Sequence, residues 1–299
     1  MKYEFDIIGP ENINKYIQDF RSLEEKIEYP LENGLGNFRI IHGENYHTFF
    51  TQQGFKTRFV AIKKRNKVIG TIAGIWKPIK IKNKEYAGFY ISDLKIDLDH
   101  RKKNILRKLL WYLVKRWPIT PDYQGWDFNY YCTMLKDGKG VNRTFKGFNP
   151  AKLPSHSATL NIYMVDPSTL LSLDINSLPE NENCSSVNLS PLRIENVLWN
   201  EGVKDILSTT DNSIMQLGHL HPQILTKKFS SKLNQSISEI INKEKGLVCF
   251  AVDNRETKKI KWLDYSGITT NTRCNIFSFS PFAPSLNKSD ILYISTGEI

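Results

Sequence analysis

The 299-residue chain has only four cysteines, Cys132, Cys184, Cys249 and Cys274, and no two of them form a Cys-x-x-Cys pair. That excludes the usual zinc-ribbon spacing and favours free thiols in a reducing compartment over a disulfide framework. Long apolar runs are missing too: none approaches the about 18 residues that a spanning helix needs. The opening MKYEFDIIG lacks the apolar stretch of a secretory signal, so the expectation is a cytoplasmic chain with no membrane span. Acidic residues are the scarcer charge, 31 against 41 Lys plus Arg, for a formal net charge of +10. Such a field favours anionic partners, among them nucleic acid, an acidic carrier protein or a phosphorylated cofactor. What the chain does have is 40% hydrophobic residues, enough to bury an ordinary core in one large or two modest domains.

Residues 3 to 8 alternate as a strand, Gly9-Pro10 breaks it, and Ile13, Ile17, Phe20, Leu23 and Ile27 then share one helical face. From Tyr29 to Thr57 the mixture of Gly, Asn and aromatics predicts loop and short helix, an adaptable wall more than packed core. RFVAIKKRNKVIGTIAGIW reads as a hairpin closed by a charged turn at Lys64 to Lys67, and extended chain leads on to the strand YISDLKIDL. Directly after it, Ile105, Leu106, Leu109, Leu110, Leu113, Val114 and Trp117 form a helical stripe with Arg107, Lys108, Lys115 and Arg116 largely opposite. Pro118 stops the helix. WDFNYYCTM is the next strand, DGKGVNRTFKGF a short helix or turn, and ATLNIYMVD a closing strand; residues 167 to 191 are polar and turn-rich, as a linker would be.

A strand that runs through a short basic loop into a helix makes an anion site, because first-turn N–H groups point outward, the helix dipole favours negative charge, and Arg and Lys add to it. The strand end beside it offers backbone groups to an amide-bearing arm. Coenzyme A has both parts, a pyrophosphate and a pantetheine arm. On these residues, the hairpin FVAIKKRNKVIGTIAGI and the run LKIDLDHRKKNILRKLL, the chain over about 3 to 165 resembles the GNAT superfamily of acyl-CoA-dependent N-acyltransferases. The resemblance implies an α/β (α+β) fold with a mixed, mainly antiparallel twisted sheet flanked by helices.

It also implies a donor site. Leu94 and Ile96 would lie on the strand, and Arg101, Lys102, Lys103, Asn104, Ile105 and Leu106 would form the pyrophosphate loop. Asn104 stands where the family has its first glycine, and Asn enters left-handed backbone geometry more readily than most residues; Leu106 replaces a second glycine or alanine. The chemistry implied is attack of an amine on a thioester, with a carboxylate base, a strand N–H near Leu94 to Ile96 polarising the carbonyl, and a proton donor for the leaving thiolate. Asp93 is the first candidate base and Asp97 the second, four residues apart on one strand face; for each the structural alternative is a strand-end aspartate that is solvated or caps Lys95 or the loop. The family's leaving-group acid is commonly a Tyr on the helix before a Gly-Phe turn. Gly147-Phe148 fits that turn, but the place four before Gly147 holds Arg143, so the role passes to Tyr130 or Tyr131, one facing the core and the other, taken as Tyr131, the ligand.

In the C-terminal part, PQILTKKFSSKLNQSISEIINKEK predicts a helix with Ile224, Leu225, Phe229, Leu233, Ile237 and Ile241 on one face, and GLVCFAVDNRETKKIKWLDYSG predicts strand, charged turn and strand. Tyr293-Ile294-Ser295 echoes Tyr90-Ile91-Ser92, so residues 192 to 299 read as an incomplete second GNAT-like copy without a donor site, packed on the first or covered by self-association into a homo-oligomer. Cys132 has two readings, a nucleophile or, as an isolated Cys on an apolar strand more often is, a small core residue; His219 and His221 read as loop histidines with no partner ligand, so no metal is expected. The expectation is a catalytic domain over 1–166, a linker over 167–191 and the partial copy over 192–299. The donor is acetyl-CoA most simply, or a longer fatty acyl-CoA or an acyl carrier protein thioester; the acceptor is an amine on a small molecule, peptide or protein. The alternative is a non-catalytic tandem domain that binds nucleic acid or a protein partner, although no nucleic-acid recognition motif accompanies the basic and aromatic residues.

Overall fold

The computed structural model describes residues 3–31, 36–101, 103–135, 153–174, 177, 185–194, 196–243 and 246–299. Lys102, Arg143, Gly147, Phe148 and Cys184, with the short helix or turn expected over 137–148, lie outside the described residues.

Strand β1 (Glu4–Ile8) pairs antiparallel with β4 (Lys56–Lys64), which turns into β5 (Lys67–Ile81). Arg65 and Asn66 in that turn have φ of 50° and 61°, the two left-handed residues of a hairpin turn whose twist matches its strands. Lys82 and Asn83 repeat the geometry, with φ of 50° and 66°, and return β5 into β6 (Lys84–Ile96). A second hairpin therefore stands where the sequence predicts only extended chain. The apolar periodicity after Pro10 divides into a 3-10 segment burying Ile13 and helix α1 (Ile17–Glu24), which buries Phe20 and Leu23.

Between α1 and β4 lie β2 (Tyr29–Pro30), β3 (Asn37–His42) and the one-turn α2 (Thr48–Thr51). This corrects the expected adaptable wall: Tyr46, Phe49 and Phe50 are buried, with Phe50 edge-on to Phe59 at 5.2 Å and beside Tyr46 at 5.5 Å. Aromatic rings that bury this much area in offset and edge contacts are core, whatever glycines surround them. Gly54 permits the approach, because a Cβ there would stand 2.1 Å from the Trp76 carbonyl oxygen.

After β6 come α3 (Ile105–Arg116), β7 (Phe128–Met134) and β8 (Ser155–Val165). The segment expected as a linker carries α4 (Pro167–Leu171) and β9 (Ser186–Asn188). Then follow β10 (Lys204–Ser208), β11 (Gln216–His219), α5 (Ser230–Ile241), β12 (Gly246–Asp253), α6 (Thr257–Tyr265), β13 (Thr272–Phe279) and β14 (Ile291–Tyr293). Three expectations change. Ile240, not Ile241, faces the core from α5. Lys258 to Tyr265 is helical, with Leu263 buried at i+4 from Lys259. TRCNIFSF, unassigned in the sequence reading, is a strand with Cys274 and Ile276 buried between half-buried Arg273 and Asn275.

Eleven strands form one sheet in the order β1-β4-β5-β6-β7-β13-β8-β12-β11, with β9 branching from β5 and β14 from β9. Most pairs are antiparallel; β6/β7, β11/β12 and β9/β14 are parallel. This is the expected mixed sheet flanked by helices. β13 sits between β7 and β8, so residues from both sides of 167–191 share one continuous sheet. On one face α3 packs Ile105 and Leu109 against Val60, Ile62, Ile69 and Ile72; farther along, Leu233, Ile237 and Ile240 of α5 and Leu263 of α6 join Tyr163, Val165, Val248, Phe250 and Val252. A second, three-stranded sheet, β10-β3-β2, stands apart from the large one. Residues 290 to 298 are buried without a break, and Glu298 there accepts from Lys77 of β5, from Ser190 and from Arg193.

A chain truncated after Ser168 loses β13 and leaves the ladder edges of β7 and β8 open and apolar. It is expected to aggregate or to lack a cooperative unfolding transition by circular dichroism; a soluble fragment with a sharp transition would show that the sheet is divisible there.

Candidate active site

The ladder between β6 and β7 runs from the Gly88–Phe128 pair to the Ile91–Tyr131 pair and stops. Beyond it β6 follows β5 to Ile96 while β7 follows β13 to Met134, so the two strands part like a V. The register of β6 on β5 also slips between Thr71 and Ala73, and Asp93, in the skipped stretch, has a φ of 55°. A β-bulge twists its strand away from its neighbour and re-aims side chains. Positive φ at an aspartate is strained geometry that persists only where the surroundings fix it.

The surroundings do fix it. The Asp93 carboxylate takes a hydrogen bond from the Tyr46 hydroxyl on one oxygen and pairs with the Lys95 ammonium on the other. Lys95 also donates to Glu24 Oε1 at 3.0 Å and to the Tyr46 oxygen at 3.3 Å. Burial alone would lower the Lys95 pKa, but the Asp93 and Glu24 carboxylates outweigh it and hold that pKa above its ordinary value. Burial pushes the Tyr46 phenol well above its usual range, and the negative charge of Asp93 adds to the shift. Glu24, Asp93 and His42 bring their acceptor atoms within 4.8 Å of one another, and the cation among them is the Lys95 ammonium.

Glu24 holds His42 twice: Oε2 accepts from the backbone N–H of His42 at 3.1 Å and Oε1 pairs with Nδ1. The network assigns the ring proton to Nδ1. Burial, then the charge of Lys95, pushes the imidazole pKa well below its ordinary value. The other ring nitrogen, Nε2, is buried with no hydrogen-bond partner among the described residues. Nothing in the sequence joins Glu24 to His42, which are 18 positions apart, and this pair was absent from the candidates.

Asp97 is not on the strand with Asp93. It lies past the end of β6, caps the 3-10 turn Leu98–His100 by accepting from the Asp99 N–H, and pairs with Lys26 at 3.0 Å. The bulge breaks the two-residue alternation that would have put the two aspartates on one face. Tyr130 is buried and stacks on Tyr90 at 4.8 Å, whereas Tyr131 stacks on Phe277 at 5.1 Å and lines the cleft described next.

The parting opens a cleft of about 940 Å³. It begins at α3, where Leu106, Leu110 and Val114 face it, passes between β6 and β7, and continues under the small sheet, where Phe38, Ile40 and Ile206 form the roof and Ile162, Met164, Leu217 and Cys249 the floor. The apolar stripe of α3 is therefore shared between the core and this opening. At its mouth Asn104 adopts φ 56° as the residue before α3, and Arg101, Lys103 and Asn104 are exposed. Arg101 Nε donates to the Ile96 carbonyl at 3.2 Å, and Lys103 to that of Asp99. Leu94, exposed, and Leu106 both line the cleft, while Ile105 is buried.

Deep in the cleft the polar groups are few. Lys204 stands opposite His42 in the β10/β3 register, donates to the Ile299 oxygen and lies over the Phe49 ring at 4.6 Å. Burial pushes its pKa down to about 8. Both histidines are buried: His219 ends β11, whereas His221 lies in the connection that follows, ahead of the 3-10 turn Pro222–Ile224; His219 Nδ1 meets Thr296 Oγ1 at 2.9 Å and His221 Nε2 meets Asn188 Oδ1 at 3.1 Å. Burial holds both near 3, so they are neutral hydrogen-bonding groups. Cys132 and Cys249, whose thiols burial raises to about 12 and about 11, are unreactive wall residues.

No family model matches the chain, and no curated protein matches it in sequence. Among solved structures, N-myristoyltransferase of Saccharomyces cerevisiae with bound myristoyl-CoA is 13% identical, over 97% of this chain and 84% of that one, with a TM-score of 0.51. A second structure of that enzyme, with myristoyl-CoA and inhibitors, is 13% identical over 93% of this chain and 80% of that one, with a TM-score of 0.50. At this identity the likeness shows the fold alone: the chain shares the mixed, mainly antiparallel sheet flanked by helices of those structures.

Lys204 carries a pH signature. Below pH of about 8 the folded and unfolded chains both keep its proton; between about 8 and the ordinary 10.5 the folded chain has released it and the unfolded chain has not. Stability should rise with pH across that window, by about 3 kcal/mol. Lys204→Met is expected to be more stable at neutral pH and to lack this rise in urea titrations; equal slopes in both proteins would contradict the assignment.

Proposed function

We propose that this chain is an N-acyltransferase that carries a long acyl group from a coenzyme A thioester to the amine of a small molecule, peptide or protein. The observation that supports this best is the cleft itself. A cleft of about 940 Å³ with a mostly apolar lining lies near the upper end for ligand sites, where most of the wall is apolar and a few polar groups orient the ligand. An acetyl group would leave it mostly empty.

The parts of the donor have matching surfaces. The pyrophosphate sits at the start of α3 on Arg101, Lys103 and the first-turn N–H groups, with Asn104 in the left-handed turn that points them outward. The pantetheine arm follows the side of β6 that, among the described residues, has no ladder partner past Ile91, where backbone N–H and C=O groups can meet its amides. The thioester then lies at the Asp93 bulge and the acyl chain beneath the small sheet. The backbone N–H groups from Leu94 to Ile96 polarise the carbonyl. Asp93 and Glu24 place negative charge where the attacking nitrogen turns positive, and Tyr131 protonates the departing thiolate.

Two measurements test this. Arg101→Glu should weaken coenzyme A binding by about 1.5–3 kcal/mol, the scale of a hydrogen bond to a charged group; unchanged calorimetric affinity would remove the loop as the donor site. Across saturated acyl-CoAs from acetyl to palmitoyl, affinity should climb by about 0.8 kcal/mol per methylene until the cleft is filled, so that four methylenes give about two-hundredfold. Affinity and kcat/KM that do not change with chain length would contradict a long-acyl donor.

A further inference from the structure

We infer that His42, oriented by Glu24, accepts the proton of the attacking amine, an inference that rests on the acyl-transfer reading above. Four groups around the bulge are able to accept a proton, and three of them are occupied. Both oxygens of Asp93 are engaged, by Lys95 and by Tyr46. Both oxygens of Glu24 are engaged, by the His42 ring and Lys95 on one side and by the His42 backbone on the other. Tyr46 takes a contact from Lys95 and gives its own proton to Asp93. His42 is different: its ring lines the cleft, and its Nε2 is buried without a partner among the described residues.

A purely structural histidine is a poor account of that nitrogen. A buried acceptor left unsatisfied is costly, and the ring is packed among Tyr46, Phe49 and Phe50 at 4.9, 5.2 and 4.7 Å, where a phenylalanine would carry no such penalty. The residue is nevertheless held twice by one carboxylate, through its backbone N–H and through ring Nδ1, and the ring bond fixes a tautomer and aims the opposite nitrogen. An incoming amine supplies the missing donor.

The step balances without any further reagent. The amine lone pair forms the C–N bond and the carbonyl π pair moves to oxygen; the N–H proton, made acidic by the charge on nitrogen, passes to Nε2. The oxyanion then re-forms the carbonyl, the C–S bond breaks, and the coenzyme A thiolate leaves and takes up a proton. The imidazolium formed meanwhile faces Glu24 and Asp93, with Lys95, Lys204 and the Tyr29 and Tyr46 phenols as the other titratable groups around it. Because burial keeps the free ring unprotonated at neutral pH, the acceptor is available before the amine arrives.

Two substitutions separate the halves of the ring. In His42→Asn the side-chain amide can still donate to Glu24 from the place of Nδ1 but has nothing at Nε2. It is expected to keep its thermal midpoint and its acyl-CoA affinity while single-turnover acylation of an amine falls by about 10²–10⁴. In His42→Gly, added imidazole should restore part of the rate, which a packing role would not allow. Glu24→Gln, which alters the positioning residue, should lower kcat without changing donor KM. His42→Asn turning over at the wild-type rate, or activity lost in Asp93→Asn and kept in His42→Asn, overturns the inference while leaving acyl transfer intact. A wild-type protein that binds acyl-CoA and acylates no amine overturns both.

Discussion

One buried ammonium holds the site in shape. Lys95 lies between Asp93 and Glu24 with almost no exposure, and a charge taken out of water is tolerated only when partners this close and well directed surround it. Each partner is on a different piece of chain: Asp93 in the β6 bulge, Glu24 at the end of α1, and Tyr46 ahead of α2. The ion cluster thereby ties the strained residue to the helix layer, keeps β6 bent away from β7, and leaves a gap in a sheet that would otherwise close. The same Glu24 carboxylate orients His42, so the geometry of the opening and the placement of the buried imidazole have one cause.

What fills the gap follows from the rest of the sheet. β13 comes from the far end of the sequence and lies between β7 and β8, which carries the cleft floor outward onto β8, β12 and β11. β10 pairs with β3 and carries the roof over it. Neither half of the chain encloses an apolar chamber alone. The buried C-terminal stretch is secured by Lys77, Ser190 and Arg193 around Glu298, a second ion cluster in which one carboxylate accepts from two cations and a hydroxyl.

Where the sequence was legible, local physics was sufficient. The β4–β5 hairpin followed from two apolar runs about a charged turn, and helix α3 from its stripe. The left-handed residue before α3 was anticipated from Asn104, because its side chain tolerates that conformation. Where the reading failed, packing overrode composition. The Gly- and Asn-rich stretch around Tyr46 became core because four aromatics meet there. The histidines of GHLHP became buried because β11 ends against the C-terminal segment. Asp97 left the strand face because one bulge residue shifts the alternation of everything after it, and a bulge has no signature in a single sequence.

Periodicity and residue type by themselves determined the sheet-and-helix character of this protein, the strand–loop–helix junction from β6 to α3, and the net basic charge, since each depends on residue type or on neighbours a few positions apart. Only the tertiary structure decided that Glu24, His42, Asp93, Lys95 and Lys204 would meet, and that the cleft would be large. Those outcomes depend on contacts between segments up to about two hundred residues apart, and the free energy of burying a charge or leaving an apolar chamber is set by all the partners at once, which no local stretch of sequence encodes.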